Sequence, residues 1–310
     1  MTELSIMNAA WQIAETYEPA HGKAVQLAPG VERVTANNIG AMTHQGTNSY
    51  IVGEKSVCVI DPGPDDEAHF EALLKALDGR ELTHILVTHT HKDHSTLAPR
   101  LQAARGGLLV AEGPHRPSRP CHPGETNPFA KSSHFSFSPD VTLADGEVVE
   151  GDGWALETVL TPGHAANHAC FALAGSGLLF SGDHIMAWAP TVVGPPDGSM
   201  SAYLKSMDKL LARDDRFYLP GHGGPVLEPR ALVSGMRTHR LMREGAILNR
   251  LRAGDTTIAA IVDGMYRGID PALKMPAALS VFAHMEDLVS KGQALCDGPA
   301  CLDSQYFPAK

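Results

Sequence analysis

Residues 88–94 read THTHKDH, three histidines and an aspartate within six consecutive positions. Imidazole and carboxylate are the ligands that borderline-soft divalent cations accept, and a folded chain has little other reason to crowd them. The run HILVT (84–88) before the cluster has the apolar, branched character of a buried strand. The cluster therefore sits at a strand's C-terminal end, where α/β chains present chemistry. In an extended segment His89 and His91 project to one side, and a turn into a following helix swings Asp93 and His94 another way. One stretch can thus serve two neighbouring ions.

Three further short motifs share this character: TPGH ending at His164, SGD ending at Asp183, and PGHG containing His222. Each follows an apolar β-type run and sets a metal-capable side chain beside a glycine that lets the backbone turn sharply. SGD and PGHG alone are ordinary turn sequences. Together with the first cluster they raise the count to five histidines and two aspartates, too many for one tetrahedral ion and suited to two ions sharing a carboxylate. SYIVGEKSVCVID (49–61) reads as a hairpin that delivers Asp61 to another strand end, as a turn-capping or ligand-supporting carboxylate.

Between these motifs the chain alternates strand and helix. EAHFEALLKAL carries Phe70, Leu73, Leu74 and Leu77 at helical spacing, with Asp65 or Asp66 as N-cap. A helix is expected from near His94 through LAPRLQAAR, a strand at 107–111, strands at 170–174 and 177–183, and a helix from Ser201 to Ala212. Residues 112–140 are rich in Pro, Ser and His and lack periodicity, so they read as a long surface loop with solvated His115, His122 and His134. Beyond Pro229 the pattern turns helical, with helices expected at 238–252, 256–266 and 271–291 and a β-like QALCDGPACL. A boundary near 228–237 divides the chain into residues 1–230 and 231–310, as expected for a length beyond one growing core.

The bulk numbers exclude several classes. No apolar run is long enough to span a bilayer, and MTELSIMNAAWQIAETYEPAHGK, with Glu3 and Glu15, does not read as a secretory signal. A cytoplasmic location follows as the expectation. The five cysteines lack C-x-x-C spacing, which argues against a thiolate zinc site. The net charge of -10 disfavours nucleic acid or anionic membrane as partner. Residues 231–310 hold nine Lys/Arg against eight Asp/Glu, so the deficit lies in the first 230 residues. The five arginines of 237–252 read as a solvated helix face.

The order Asp61, HTHKDH, His164, Asp183, His222 resembles the metallo-β-lactamase superfamily, whose five motifs are all present over roughly residues 25–230. The resemblance implies an α/β fold, an αββα sandwich with a binuclear site at one edge, followed by a small winged-helix-like domain. It implies His89, His91 and His164 on a first metal, Asp93, His94 and His222 on a second, Asp183 bridging, and Asp61 supporting the histidine loop. Two zinc ions are the default, with iron or manganese as alternatives for the same ligands. In secreted lactamases of the superfamily a cysteine stands where this chain has Asp183. Asp183 instead resembles the glyoxalase II and nuclease branches, which argues against antibiotic hydrolysis.

The tail HRLMREGAILNRL, together with QGTNSYIVG and TPGHAANHACFAL, resembles a subgroup with an appended winged-helix-like domain, some of whose members are endoribonucleases on single-stranded RNA. The implied activity is hydrolysis of an ester, thioester or phosphodiester by a hydroxide held between two metals, with Asp93, Asp183 and the additional His168 as catalytic candidates. No leaving-group acid is identified by the motifs; His168 is a candidate if it lies near the cleft, and otherwise reads as a histidine that supports the site or is satisfied within the fold. Two other readings stand beside a small ester or thioester substrate: an RNA nuclease guided by the tail, and a metal-dependent scaffold without activity. A homo-oligomer is compatible with either.

Overall fold

In a computed structural model describing residues 17–309, two β-sheets form the centre of the chain. The first runs β1 (Ala24–Ala28), β2 (Val31–Thr35), β3 (Asn48–Gly53), β4 (Ser56–Ile60), β5 (Glu81–Val87), β6 (Leu108–Ala111), β7 (Val141–Thr142) in sequence order. Its pairs are antiparallel as far as β4 and parallel from there on. The second sheet contains β8 (Val148–Gly151), β9 (Trp154–Leu160), β10 (Ala169–Leu173), β11 (Leu178–Gly182) and β12 (Phe217–Pro220), with only β11 and β12 parallel.

The strands read as continuous apolar runs because each face has its own core. Tyr50, Val52, Cys58, Ile60 and Leu86 meet Phe171, Leu178 and Phe180 between the sheets. Their neighbours Ile51, Val57, Val59, Ile85 and Val87 point the other way, onto α1 (Glu67–Leu77) and α3 (Ala98–Arg105). Cys170, Ala172 and Leu179 face α4 (Met200–Leu211). The order of layers is therefore αββα. Each fully buried Leu or Phe contributes about 1.5–3 kcal/mol by leaving water.

Local chemistry sets the helix ends. Asp66 caps α1 by accepting from the His69 amide at 2.8 Å, and Ser199 caps α4. The helix expected from His94 to Arg105 is two pieces, α2 (Lys92–Ser95) and α3. The Leu97 amide bonds to the Gly63 carbonyl, which interrupts the helical ladder between them.

α5 (Pro229–Arg252) starts nine residues before the expected Thr238, with Pro229 in its first turn, where a missing N–H costs nothing. Its early residue Val233 belongs to the core of the second sheet, and its late residues Ile247 and Leu251 belong to a separate C-terminal core. That core is completed by α6 (Ile258–Met265), α7 (Lys274–Ser290) and Tyr306 of the hairpin β13 (Ala294–Cys296) and β14 (Tyr306–Pro308). The expected division at 230/231 thus falls in the first turn of a helix that serves both cores. Among the described residues no helix is long and apolar enough to cross a membrane; residues 1–16, on which most of the reading of the N-terminus rests, lie outside them.

Candidate metal centre

Asp61, the 89–94 segment, His164, Asp183 and His222 follow the C-terminal ends of β4, β5, β9, β11 and β12. They converge. Ligand-capable atoms of His89, His91 and His164 lie within 4.8 Å of one another, as do those of Asp93, His94 and His222, and those of His89, His94 and Asp183. Asp183 reaches both trios: Oδ1 is 3.4 Å from His94 Nε2, and Oδ2 is 3.4 Å from His222 Nε2 and 3.7 Å from His164 Nε2.

Hydrogen bonds behind the rings fix which nitrogens point inward. Thr88 Oγ1 donates its proton to Asp61 Oδ2 at 2.7 Å, so Thr88 Oγ1 in turn accepts from His89 Nδ1 at 3.0 Å. His94 Nδ1 donates to Asp61 Oδ2 at 2.9 Å, His164 Nδ1 to the Val192 carbonyl at 2.6 Å, and His222 Nδ1 to the Gly46 carbonyl at 3.2 Å. In the neutral imidazoles, the form that binds a metal, the four Nε2 atoms are therefore bare acceptors. His89 and His164 aim theirs at His91 Nδ1, from 2.9 and 3.0 Å, and His94 and His222 face each other at 3.3 Å. Lone pairs converging in this way, with Asp183 Oδ1 buried and without a hydrogen bond, fit a divalent cation on each trio.

The field agrees. Burial opposes charge on His222, but Asp183 and Asp93 outweigh it and raise its pKa to about 9; Asp93, Asp183 and Asp61 likewise push His94 well up against the effect of burial. His94 and His222 in turn hold Asp93 and Asp183 ionised despite their burial. For His91, burial and then His164 outweigh Asp93 and Asp183 and lower its pKa to about 3. Two glycines make the room: a Cβ on Gly221 would lie 2.5 Å from Asp183 Oδ1 and 2.6 Å from His94 Cε1, and Gly182, at φ 47°, has His168 Nε2 and Thr88 Oγ1 where its Cβ would go.

Residues 42–222 match the model of the metallo-beta-lactamase superfamily. The chain belongs to that superfamily. Residues 257–298 match the beta-lactamase associated winged helix domain. A lactamase-like protein, adaB, of Aspergillus niger is 28% identical over 79% of this chain and 75% of its own. An atrochrysone carboxyl ACP thioesterase of Cryptosporiopsis sp. is 29% identical over 78% of this chain and 69% of its own. A beta-lactamase domain protein from Burkholderia ambifaria shares the fold at a TM-score of 0.78, with 22% identity over 98% of this chain and 99% of its own. A metallo-beta-lactamase family protein from Thermus thermophilus does so at 0.73, with 23% identity, covering 91% and 100%. The fold is thus the superfamily's αββα sandwich with a C-terminal winged-helix unit, and the chain is a metallo-β-lactamase-fold hydrolase.

His168 does not face the cleft as a leaving-group acid should. It is fully buried, Nδ1 bonds Thr161 Oγ1 at 2.8 Å, and Nε2 accepts the Asp183 amide at 3.2 Å. Of the alternatives the sequence left open, this geometry fits the supporting one: with both nitrogens engaged, His168 holds the backbone that carries Asp183. His115 and His134 are not solvated either. His115 Nδ1 meets Thr90 Oγ1 and His134 Nδ1 meets Ser95 Oγ, each at 3.0 Å, and the side chain of His115 is 3% exposed. Both bonds pin the 112–140 loop against the histidine segment.

Sequence reasoning missed the anchor of that loop. Buried Asp197 accepts from Asn127 Nδ2 at 2.7 Å and Ser133 Oγ at 3.1 Å, while its carbonyl accepts from Ser118 Oγ. The loop in turn lays Phe129 beside His91, ring centroids 6.2 Å apart. Near His222, Trp188 stacks on His44 at 4.8 Å. Proximity to SGD was the only sequence signal for Trp188, and for Phe129 there was none.

Proposed function

We propose that this hydrolase cleaves thioesters with two metal ions, zinc by default. His89, His91 and His164 would hold one ion, Asp93, His94 and His222 the other, and Asp183 would link them. Bound there, the ions supply Lewis acidity and bring the pKa of a water toward about 7. The observation that carries the reading is the pair of inward-facing trios joined by Asp183.

The chain's own residues then have separable tasks. Asp93 has the most exposed side chain of the ligand carboxylates and accepts from Thr47 Oγ1 at 3.3 Å, which suits it to orient a water and take its proton. Asp61 and the Val192 and Gly46 carbonyls keep the imidazoles in one tautomer. Phe129 and the Trp188–His44 stack offer apolar walls that shelter an acyl group from water. A thioester is favoured over other esters because relatives are named as acting on carrier-bound thioesters. Five free cysteines, Cys58 and Cys170 among them buried, suit a cytoplasmic setting.

The test is turnover of a thioester, ester and phosphodiester panel and a single-stranded RNA oligonucleotide by protein of measured metal content, with Asp183→Ala as blank. Thioester cleavage lost in the variant supports the reading. RNA cleavage in place of it would make the winged-helix unit a substrate guide, and inactivity on every member would favour the scaffold reading.

A further inference from the structure

A groove of about 340 Å³ runs between the segment that follows Asp183 and α5. Trp188, Tyr203, Leu232 and Met236 give it apolar walls; His239 and Arg240 supply its polar groups, and no acidic residue lines it. Arg240 is 6% exposed. It donates to the Thr191 carbonyl at 2.6 Å and to Ser280 Oγ at 3.3 Å, and its guanidinium lies over the Tyr203 ring. Among the described residues no carboxylate pairs with it, whereas Arg237 and Arg250 on the same helix pair with Asp208 and Asp255.

A buried guanidinium opposed only by neutral acceptors is costly unless an anion completes it. Its surroundings add positive charge: Arg243, also without a carboxylate, reaches His239, and burial together with Arg243 and Arg240 pushes the His239 pKa down. The groove also adjoins the metal centre. The Thr191 hydroxyl bonds the Asp183 carbonyl, and Trp188 lines the groove while stacking on His44 near His222.

We propose that this groove is a substrate subsite that takes the carboxylate end of an apolar acyl chain, with Arg240 binding the carboxylate. The identity of the occupant as substrate rests on the thioester reading; the binding of an anion does not. Arginine's rigid fork matches a carboxylate, and the apolar walls match the stem.

The experiment is titration of the full-length, metal-loaded chain with octanoate, followed by tryptophan fluorescence and calorimetry, with octanol as the neutral control. Arg240→Met removes the charge. Gly235→Phe fills the groove at a helical position where an added Cβ meets nothing within 4 Å, so the helix persists and the ligand set is untouched. The expected result is octanoate binding weakened about tenfold or more in both variants. The preference for a carboxylate-terminated over a neutral thioester, as a ratio of kcat/KM, should fall by a similar factor. Octanoate bound no better than octanol, or equally by Gly235→Phe, would overturn the proposal; an unchanged kcat/KM ratio would overturn the substrate assignment. If no thioester is turned over, the function reading fails and the titration still decides the anion site.

Discussion

His94 donates from Nδ1 to Asp61 Oδ2 at 2.9 Å, and that one bond selects which nitrogen of His94 faces Asp93, Asp183 and His222. Asp61 sits at φ 50°, a conformation aspartate tolerates, and its two oxygens also take the Thr88 amide and hydroxyl at 2.7 Å. Asp61→Asn keeps the shape but offers an N–H where an acceptor is needed. Metal affinity should drop about 10–100-fold with the secondary structure intact, read by chelator competition beside circular dichroism. An affinity equal to wild type would remove Asp61 from the machinery.

Gly221→Ala should act by crowding. Its Cβ would stand 2.5 Å from Asp183 Oδ1, so either the carboxylate or β12 must shift. The expected outcome is loss of bound metal out of proportion to any change in urea midpoint, measured by elemental analysis of the purified variant.

Removing metal should loosen one edge of the sandwich. Ions bound to the folded state alone stabilise it by mass action, so a chelator should lower the melting temperature. Hydrogen exchange should rise at residues 88–94, 161–168, 181–185 and 220–223, and not in β3 or β10. Asp183→Ala should blunt the chelator's effect.

His284, on α7, is buried with neither ring nitrogen partnered, and burial, then Arg240 and Lys291, lowers its pKa to about 3. The unfolded chain binds its proton near pH 6.5 and the folded chain does not. The contribution therefore vanishes above pH 6.5, and stability falls as pH drops from there toward 3, by at most about 1.4 kcal/mol per unit. His284→Met should flatten the acid side of a urea-midpoint profile between pH 7 and 5 relative to wild type, with little change at pH 7. Parallel profiles would contradict this.

Arg119 ties the 112–140 loop to the winged-helix unit by bonding Glu125 at 2.6 Å and also Glu286 of α7. Arg119→Met leaves two carboxylates without their cation, and burial already raises the Glu286 pKa. Proteolysis within 118–133 should accelerate several-fold while bound metal is retained.

That the candidate ligands would converge was readable because each stands in its own short motif beside a strand end, where local sequence and three-dimensional place coincide. His168 shows where that reading stops: its motif marked it as special, yet only the pairing of β10, which His168 precedes, with β11, which Asp183 follows, reveals that Asp183's own amide occupies its Nε2. Arg240 was read as one of five solvated arginines, since helical spacing carries no record of which turn α4 and α7 will cover. The early start of α5 escaped notice because PRALVSGMR contains a proline, a glycine and a serine, while the contacts that hold it helical come from another part of the chain.

The sharing of α5 has a consequence for dissecting the molecule. Val233 from its first turns and Ala283 from α7 join Met207 of α4 over the outer side of the second sheet, where Leu179 and Tyr218 lie. A chain cut after residue 230 would bare that apolar floor to water and to other copies of itself. Such a fragment should precipitate or self-associate, so its inactivity would report on solubility rather than on catalysis.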